Sequence, residues 1–133
     1  MKRFAWLAVP LLALPLLGGL PGAVVASGTA APSSQVAEGQ RLYLENCATC
    51  HGEDGQRGAA YQTPIWGPRA QIRRFENALG LFEYNQITMP FNEPTQINDV
   101  QKLAVVAFIL ANHGAMAASA TLEYAKAADI AVK

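Results

Sequence analysis

Apolar residues recur at helical spacing in three stretches of this chain, and nowhere do they alternate as a half-buried strand requires. Val36, Gly39, Tyr43 and Cys47 share one face of a first helix predicted over about 35–46, with Ser34 as its N-cap. From Ala70 a second stripe runs through Ile72, Phe75, Leu79 and Phe82, while Arg73, Arg74, Glu76 and Glu83 face water. Gly80 is placed to split that region into two short helices. A third helix starts at Asn98, which with Gln101 resembles a capping box. Val100, Leu103, Ala107 and Leu110 form its expected buried stripe, widened by Val106, Phe108 and Ile109, and Gly114 supplies the C′ stop. The fold class is therefore all-α.

The connecting segments carry their own signals. Gly52, Gly55, Gly58, Pro64, Gly67 and Pro68 make 52–69 a loop. A loop of that length in a compact domain usually has a task. The prolines of Met89-Pro90-Phe91-Asn92-Glu93-Pro94 make that segment a stiff, non-helical turn. Residues 115–133 form an alanine-rich tail, with a weak helix expected over 121–128.

The amino terminus reads as a targeting segment. Lys2 and Arg3 precede a nearly apolar run from Phe4 to Leu20, and Val24-Val25-Ala26 has the small residues of a cleavage site. The organisation is thus a signal peptide at 1–26, a linker at 27–34, a domain at 35–114 and the tail. An uncleaved anchor is the alternative, since the run is near the lower limit for spanning a bilayer. Without the leader, the remaining 107 of 133 residues make one small domain, short of apolar core by itself. Ten Lys and Arg balance ten Asp and Glu over the whole chain. No basic tract marks a nucleic-acid partner or a lysine-rich docking face.

The chemistry sits in Cys47-Ala48-Thr49-Cys50-His51. C-x-x-C-H is the attachment signature of c-type haem, with two thiols for the porphyrin and an imidazole for its iron. A thioredoxin-like dithiol expects a βαβ context, which is missing. A structural zinc site needs four ligands, and the chain holds only two cysteines and two histidines. A plain Cys47–Cys50 disulfide is the remaining alternative in an oxidising compartment. One covalent haem c makes one-electron chemistry the default.

What fills the sixth iron position separates electron transfer from gas binding. Met89, held before Pro90, is the leading candidate. Met116 lies in the tail, and His113, near the end of the last helix, reads as a cation favoured by the helix dipole. His51 and Met89 are the expected metal ligands, giving a low-spin haem of positive potential.

In this order these residues resemble class I cytochrome c from about Val36 to Gly114. The resemblance implies a small helical fold around one haem, with the first and last helices crossing at Gly39, Tyr43 and Phe108. It implies that a loop proline carbonyl accepts the proton of the proximal imidazole. Thr63-Pro64-Ile65-Trp66-Gly67 looks like that segment, so Pro64 takes the role. Arg69, just after it, is the candidate partner of a haem propionate. Phe91, Ile65 and Trp66 are expected to keep water off the haem. Covalent attachment in this class occurs outside the bacterial cytoplasm, which fits export to the periplasm. A narrower similarity joins Leu81-Phe82-Glu83-Tyr84, the Met89 turn and 107–114 to the monohaem cytochrome subunits of molybdenum sulfite or sulfane dehydrogenases. Asn85 and Lys102 depart from that pattern, which is apolar there.

The expected function is single-electron transfer between redox proteins, a donor dehydrogenase and an acceptor oxidase or cytochrome. The protein itself then performs no bond-making chemistry on a substrate. The alternatives are the electron-accepting haem subunit of a sulfur-compound dehydrogenase, and a five-coordinate gas-binding or sensor cytochrome. No carboxylate pair, phosphate loop or triad points to hydrolysis.

Overall fold

The computed structural model describes residues 30–133; the expected signal segment and the start of the expected linker lie outside the described residues. Helix α1 spans Ser34–Asn46, the single turn α2 spans Ala48–His51, α3 spans Ala78–Thr88 and α4 spans Asp99–His113. Short 3₁₀ segments occupy Gln71–Arg74 and Tyr124–Asp129. Among the described residues no strand forms, only an isolated bridge between Asn77 and Ala131. No helix among them is long and apolar enough to cross a membrane.

The crossing of α1 and α4 builds the back of the molecule. Gly39 lies directly on the backbone of Ala104, where a side chain would collide. Tyr43, one turn on, is fully buried and packs its ring 5.4 Å from Phe108 and 5.3 Å from Trp66. The small-residue crossing and its aromatic neighbours are those expected.

Helix ends follow local chemistry with small shifts. The α1 cap is Ser33, not Ser34: its hydroxyl accepts the Val36 N–H at 3.2 Å. At α4 both halves of the capping box form, and Gly114 closes the helix in the left-handed region at φ 84°. Gly80 does not split the second region. The break falls at Phe75–Asn77, where the Asn77 side chain caps α3 by accepting the Gly80 N–H at 3.0 Å. Asn85 stays inside the helix and returns its amide to the Leu81 carbonyl.

One burial expectation is overturned, and one buried residue was not foreseen. Val100 is 80% exposed, whereas Lys102 is only 3% exposed. The tail is not an appendage either. Leu122, Ala127 and Val132 are fully buried. The Gln35 side-chain amide brackets Leu122, accepting its N–H at 2.7 Å and donating to its carbonyl at 3.0 Å. The Ile130 carbonyl accepts the Ala78 N–H, one of the donors that α3 leaves free in its first turn. The folded unit therefore runs past the expected boundary at residue 114.

Candidate haem site

Cys47 ends α1, and the next turn brings Cys50 and His51 round beside it. The Cys50 and His51 N–H groups both donate to the Cys47 carbonyl, at 3.1 and 3.0 Å. Residues three and four apart share one helix face, so both sulfurs and the imidazole line one cavity of about 430 Å³. The 52–69 loop folds back over this turn. Tyr61 donates its N–H to the Cys50 carbonyl at 3.0 Å, and its ring stands edge-on to His51 with centroids 5.0 Å apart. Ile65 and Tyr61 form that wall, Val105 and Ile109 of α4 the floor.

Met89, the C-cap residue of α3, lines the same cavity together with Pro90 and Phe91. Phe91 is 71% exposed, so it stands at the mouth rather than inside. Ile65 is buried in the wall, and Trp66 packs behind it against Tyr43 and Phe108. Met116 packs against the core away from the cavity. His113 is also elsewhere. Its Nδ1 accepts the Gly67 N–H at 3.2 Å, and Nε2 lies 3.2 Å from the Lys133 carbonyl. These contacts tie the end of α4 to the 52–69 loop and to the C-terminal residue, away from the cavity.

The donor set suits a haem. Cys47 and Cys50 are free thiols, not a disulfide. Burial pushes the Cys47 thiol up to about 12, with the neighbouring Cys50 adding to the rise. Such a thiol is a poor dithiol nucleophile at neutral pH. Burial lowers the His51 pKa and so favours the neutral, ligating imidazole. Its Nδ1 is buried without a hydrogen-bond partner. The largely apolar lining, which gathers two thiols, an imidazole and a thioether around one cavity, suits a large apolar cofactor.

Two of the expected contacts are not formed in this structure. The Pro64 carbonyl accepts the Gln71 N–H at 2.7 Å and does not reach His51 Nδ1. The 3₁₀ turn starting at Gln71 seats itself on that carbonyl instead. Arg69 is exposed and stands off the cavity. The basic side chain at the cavity is Arg74, whose guanidinium lies 4.9 Å over the Phe75 ring and 4.7 Å over Tyr84. Arg74 is exposed, as its place opposite the apolar stripe predicts, and still reaches the cavity. A 3₁₀ segment has three residues per turn, which puts Gln71 and Arg74 on one side, both lining the cavity. Tyr61, Tyr84 and Asn85 were also missed; aromatic spacing offered a signal only for Tyr84.

Helices packed around a cavity that gathers a C-x-x-C-H turn define a c-type cytochrome domain. Residues 34–109 match the family described as cytochrome c oxidase, cbb3-type, subunit III, and the chain belongs to that family. Membership implies covalently bound haem c. Among relatives, a thiosulfate dehydrogenase of Stutzerimonas stutzeri is 30% identical over 83 residues, 56% of this chain and 26% of that protein. A thiosulfate dehydrogenase of Allochromatium vinosum is 28% identical over 108 residues, 69% of this chain and 39% of that protein. The chain thus spans well under half the length of these relatives. The sulfane dehydrogenase SoxCD of Paracoccus pantotrophus shares the fold. It aligns at a TM-score of 0.62 and 22% identity, over 86% of this chain and 65% of that one.

Proposed function

We propose that this protein is an exported monohaem electron carrier, with Cys47 and Cys50 holding the haem as thioethers and His51 and Met89 as its axial ligands. The observation that carries the reading is the convergence of these four side chains on one apolar cavity. Bound there, the haem supplies reversible one-electron chemistry at iron. The chain sets how readily that occurs. The Met89 thioether, a soft neutral donor, favours ferrous iron and raises the potential. Ile65, Val105 and Ile109 exclude water, and low dielectric disfavours the extra positive charge of the ferric state. Arg74, rather than Arg69, is the side chain placed to meet a propionate. The leader at 1–26 would deliver the domain to the periplasm, and the domain would extend through the docked tail.

A second reading has support from the relatives. The sequence matches to two thiosulfate dehydrogenases favour a role as the haem subunit that accepts electrons from a sulfur-compound dehydrogenase. Co-purification of a substrate-oxidising partner would select that role over free shuttling.

Spectra of the pure protein, oxidised and reduced, with and without CO, test the assignment. The oxidised protein should show the weak sulfur-to-iron band in the red, and the reduced protein should bind CO slowly. Met89→Ala should abolish the band and open the haem to rapid CO binding. A band that survives in Met89→Ala, or rapid CO binding by the unaltered protein, overturns the sixth ligand. Pigment extracted by acid–acetone overturns thioether attachment.

A further inference from the structure

Lys102 is the buried charged side chain of the core, and its ammonium has one hydrogen-bond partner: Nζ donates to the Gln86 carbonyl at 2.7 Å. Gln86 lies in the last turn of α3, three residues before Met89. Carbonyls of a last turn have no partner within their own helix and carry the negative end of its dipole. An ammonium there is well matched. Lys102 also continues a stripe of α4 that faces the site, since Val105 and Ile109, three and seven residues on, line the cavity.

Fold stability alone does not require a lysine here. Burying a charge is costly, and burial lowers the Lys102 pKa below its usual value. An apolar side chain of similar volume is often as stable or more so. What lysine adds is a charged donor that reaches the end of α3. The segment it holds is the one that delivers Met89, whose own N–H donates to the Asn85 carbonyl at 3.2 Å as the chain leaves the helix.

We propose that Lys102 is a positioning residue for the sixth-ligand segment: through the Gln86 carbonyl it holds the last turn of α3 so that the Met89 thioether stays in the cavity. The inference rests on the His51/Met89 reading.

Lys102→Met in the haem-loaded protein tests it. The change keeps volume and removes the donor together with its charge, so the red band and the imidazole affinity, which charge alone does not move, read the positioning. The expected result is a dissociation. Thermal stability holds or rises, while the red band weakens, the potential falls, and added imidazole displaces Met89 with about tenfold higher apparent affinity, the scale of one lost charge-assisted hydrogen bond. Asn98→Ala, which weakens the α4 cap, should lower stability and leave band and potential unchanged. If Lys102→Met yields no holoprotein, Lys102→Leu, which also lacks a donor, is read the same way; failure of both assigns Lys102 to the fold alone and overturns the proposal. A wild-type spectrum without the band overturns the ligand reading and this inference with it. A wild-type band and potential that Lys102→Met leaves intact overturn this inference alone.

Discussion

Gly39 and Ala104 meet with no space for a side chain between them: a methyl group on Gly39 would stand 2.6 Å from the Ala104 carbonyl carbon and 2.9 Å from Phe108 Cβ. This contact sets how deeply α1 and α4 interpenetrate. It fixes where α1 ends, and so where Cys47 and the following turn are delivered relative to Val105 and Ile109.

Gly39→Val should therefore prevent accumulation of the holoprotein. Ordinary overpacking costs about 1–3 kcal/mol, but here the obstacle is backbone, which cannot rotate away. A small domain has a stability of only about 5–15 kcal/mol in total. Yield of haem-loaded protein and the thermal midpoint are the measurements, with Gly39→Ala expected between the parent and the valine variant. Normal yield and midpoint for Gly39→Val would show that the helices do not cross at this residue.

Tyr43→Phe should act through a single bond and show it in the pH dependence. The Tyr43 hydroxyl donates to the Gly52 carbonyl at 2.8 Å, just after His51. Removing it leaves that carbonyl with only the Gly55 N–H, at 3.1 Å, and should cost about 0.5–1.5 kcal/mol at neutral pH. Burial raises the Tyr43 pKa above its ordinary value of 10.0. The folded state then keeps a proton that the unfolded chain releases, so stability falls as pH rises above about 10, by up to about 1.4 kcal/mol per pH unit. Denaturant titrations from pH 7 to 11 should show the variant less stable at neutrality and less steep in alkali. Parallel curves would remove Tyr43 from the alkaline transition.

Arg74 and Arg69 can be separated by redox titration. Both side chains are exposed, but Arg74 lines the cavity with its guanidinium over the Phe75 and Tyr84 rings, whereas Arg69 does not line it. Arg74→Ala should lower the haem potential, since a nearby positive charge disfavours the ferric state. It should also lose about 1 kcal/mol of stability with its cation–π contacts. Arg69→Ala should leave both unchanged. Equal potentials for Arg74→Ala and the parent would place the propionate contact elsewhere.

What was legible in the sequence was local. The C-x-x-C-H turn, the Asn98–Gln101 box, the Gly114 stop and the Gly39–Tyr43–Phe108 crossing each depend on a few residues at fixed offsets. The misses depend on phase or distance. Every residue from Ala104 to Leu110 is buried, so the orientation of α4 is decided only in its first turn, and there Lys102 turns inward and Val100 outward. Arg74 faces water as expected, but its place at the cavity was missed because a 3₁₀ turn advances differently from an α-helix. The His113 tether to Gly67 joins residues 46 positions apart, and no window along the chain contains it. Pro64 was assigned by resemblance, and the competing Gln71 N–H has no signature in the sequence.

The docking of the tail, which the sequence left open, has an energetic role that can be measured. Leu122 is buried to 1% exposure and held by both atoms of the Gln35 amide. Further along, Val132 donates its N–H to the Glu76 carbonyl at 3.2 Å, so the tail also braces the start of α3. Leu122→Ala should cost about 2–4 kcal/mol through cavity formation. Glu123→Ala, next in the chain, removes only an exposed ion pair with Lys126 and should change stability by less than about 0.5 kcal/mol. Because α3 delivers Met89, the leucine variant should also lose the red band at a lower temperature than the parent, before the haem-turn signal of global unfolding moves. Matching melting curves for Leu122→Ala and Glu123→Ala would mean that the tail rests on the domain without supporting it.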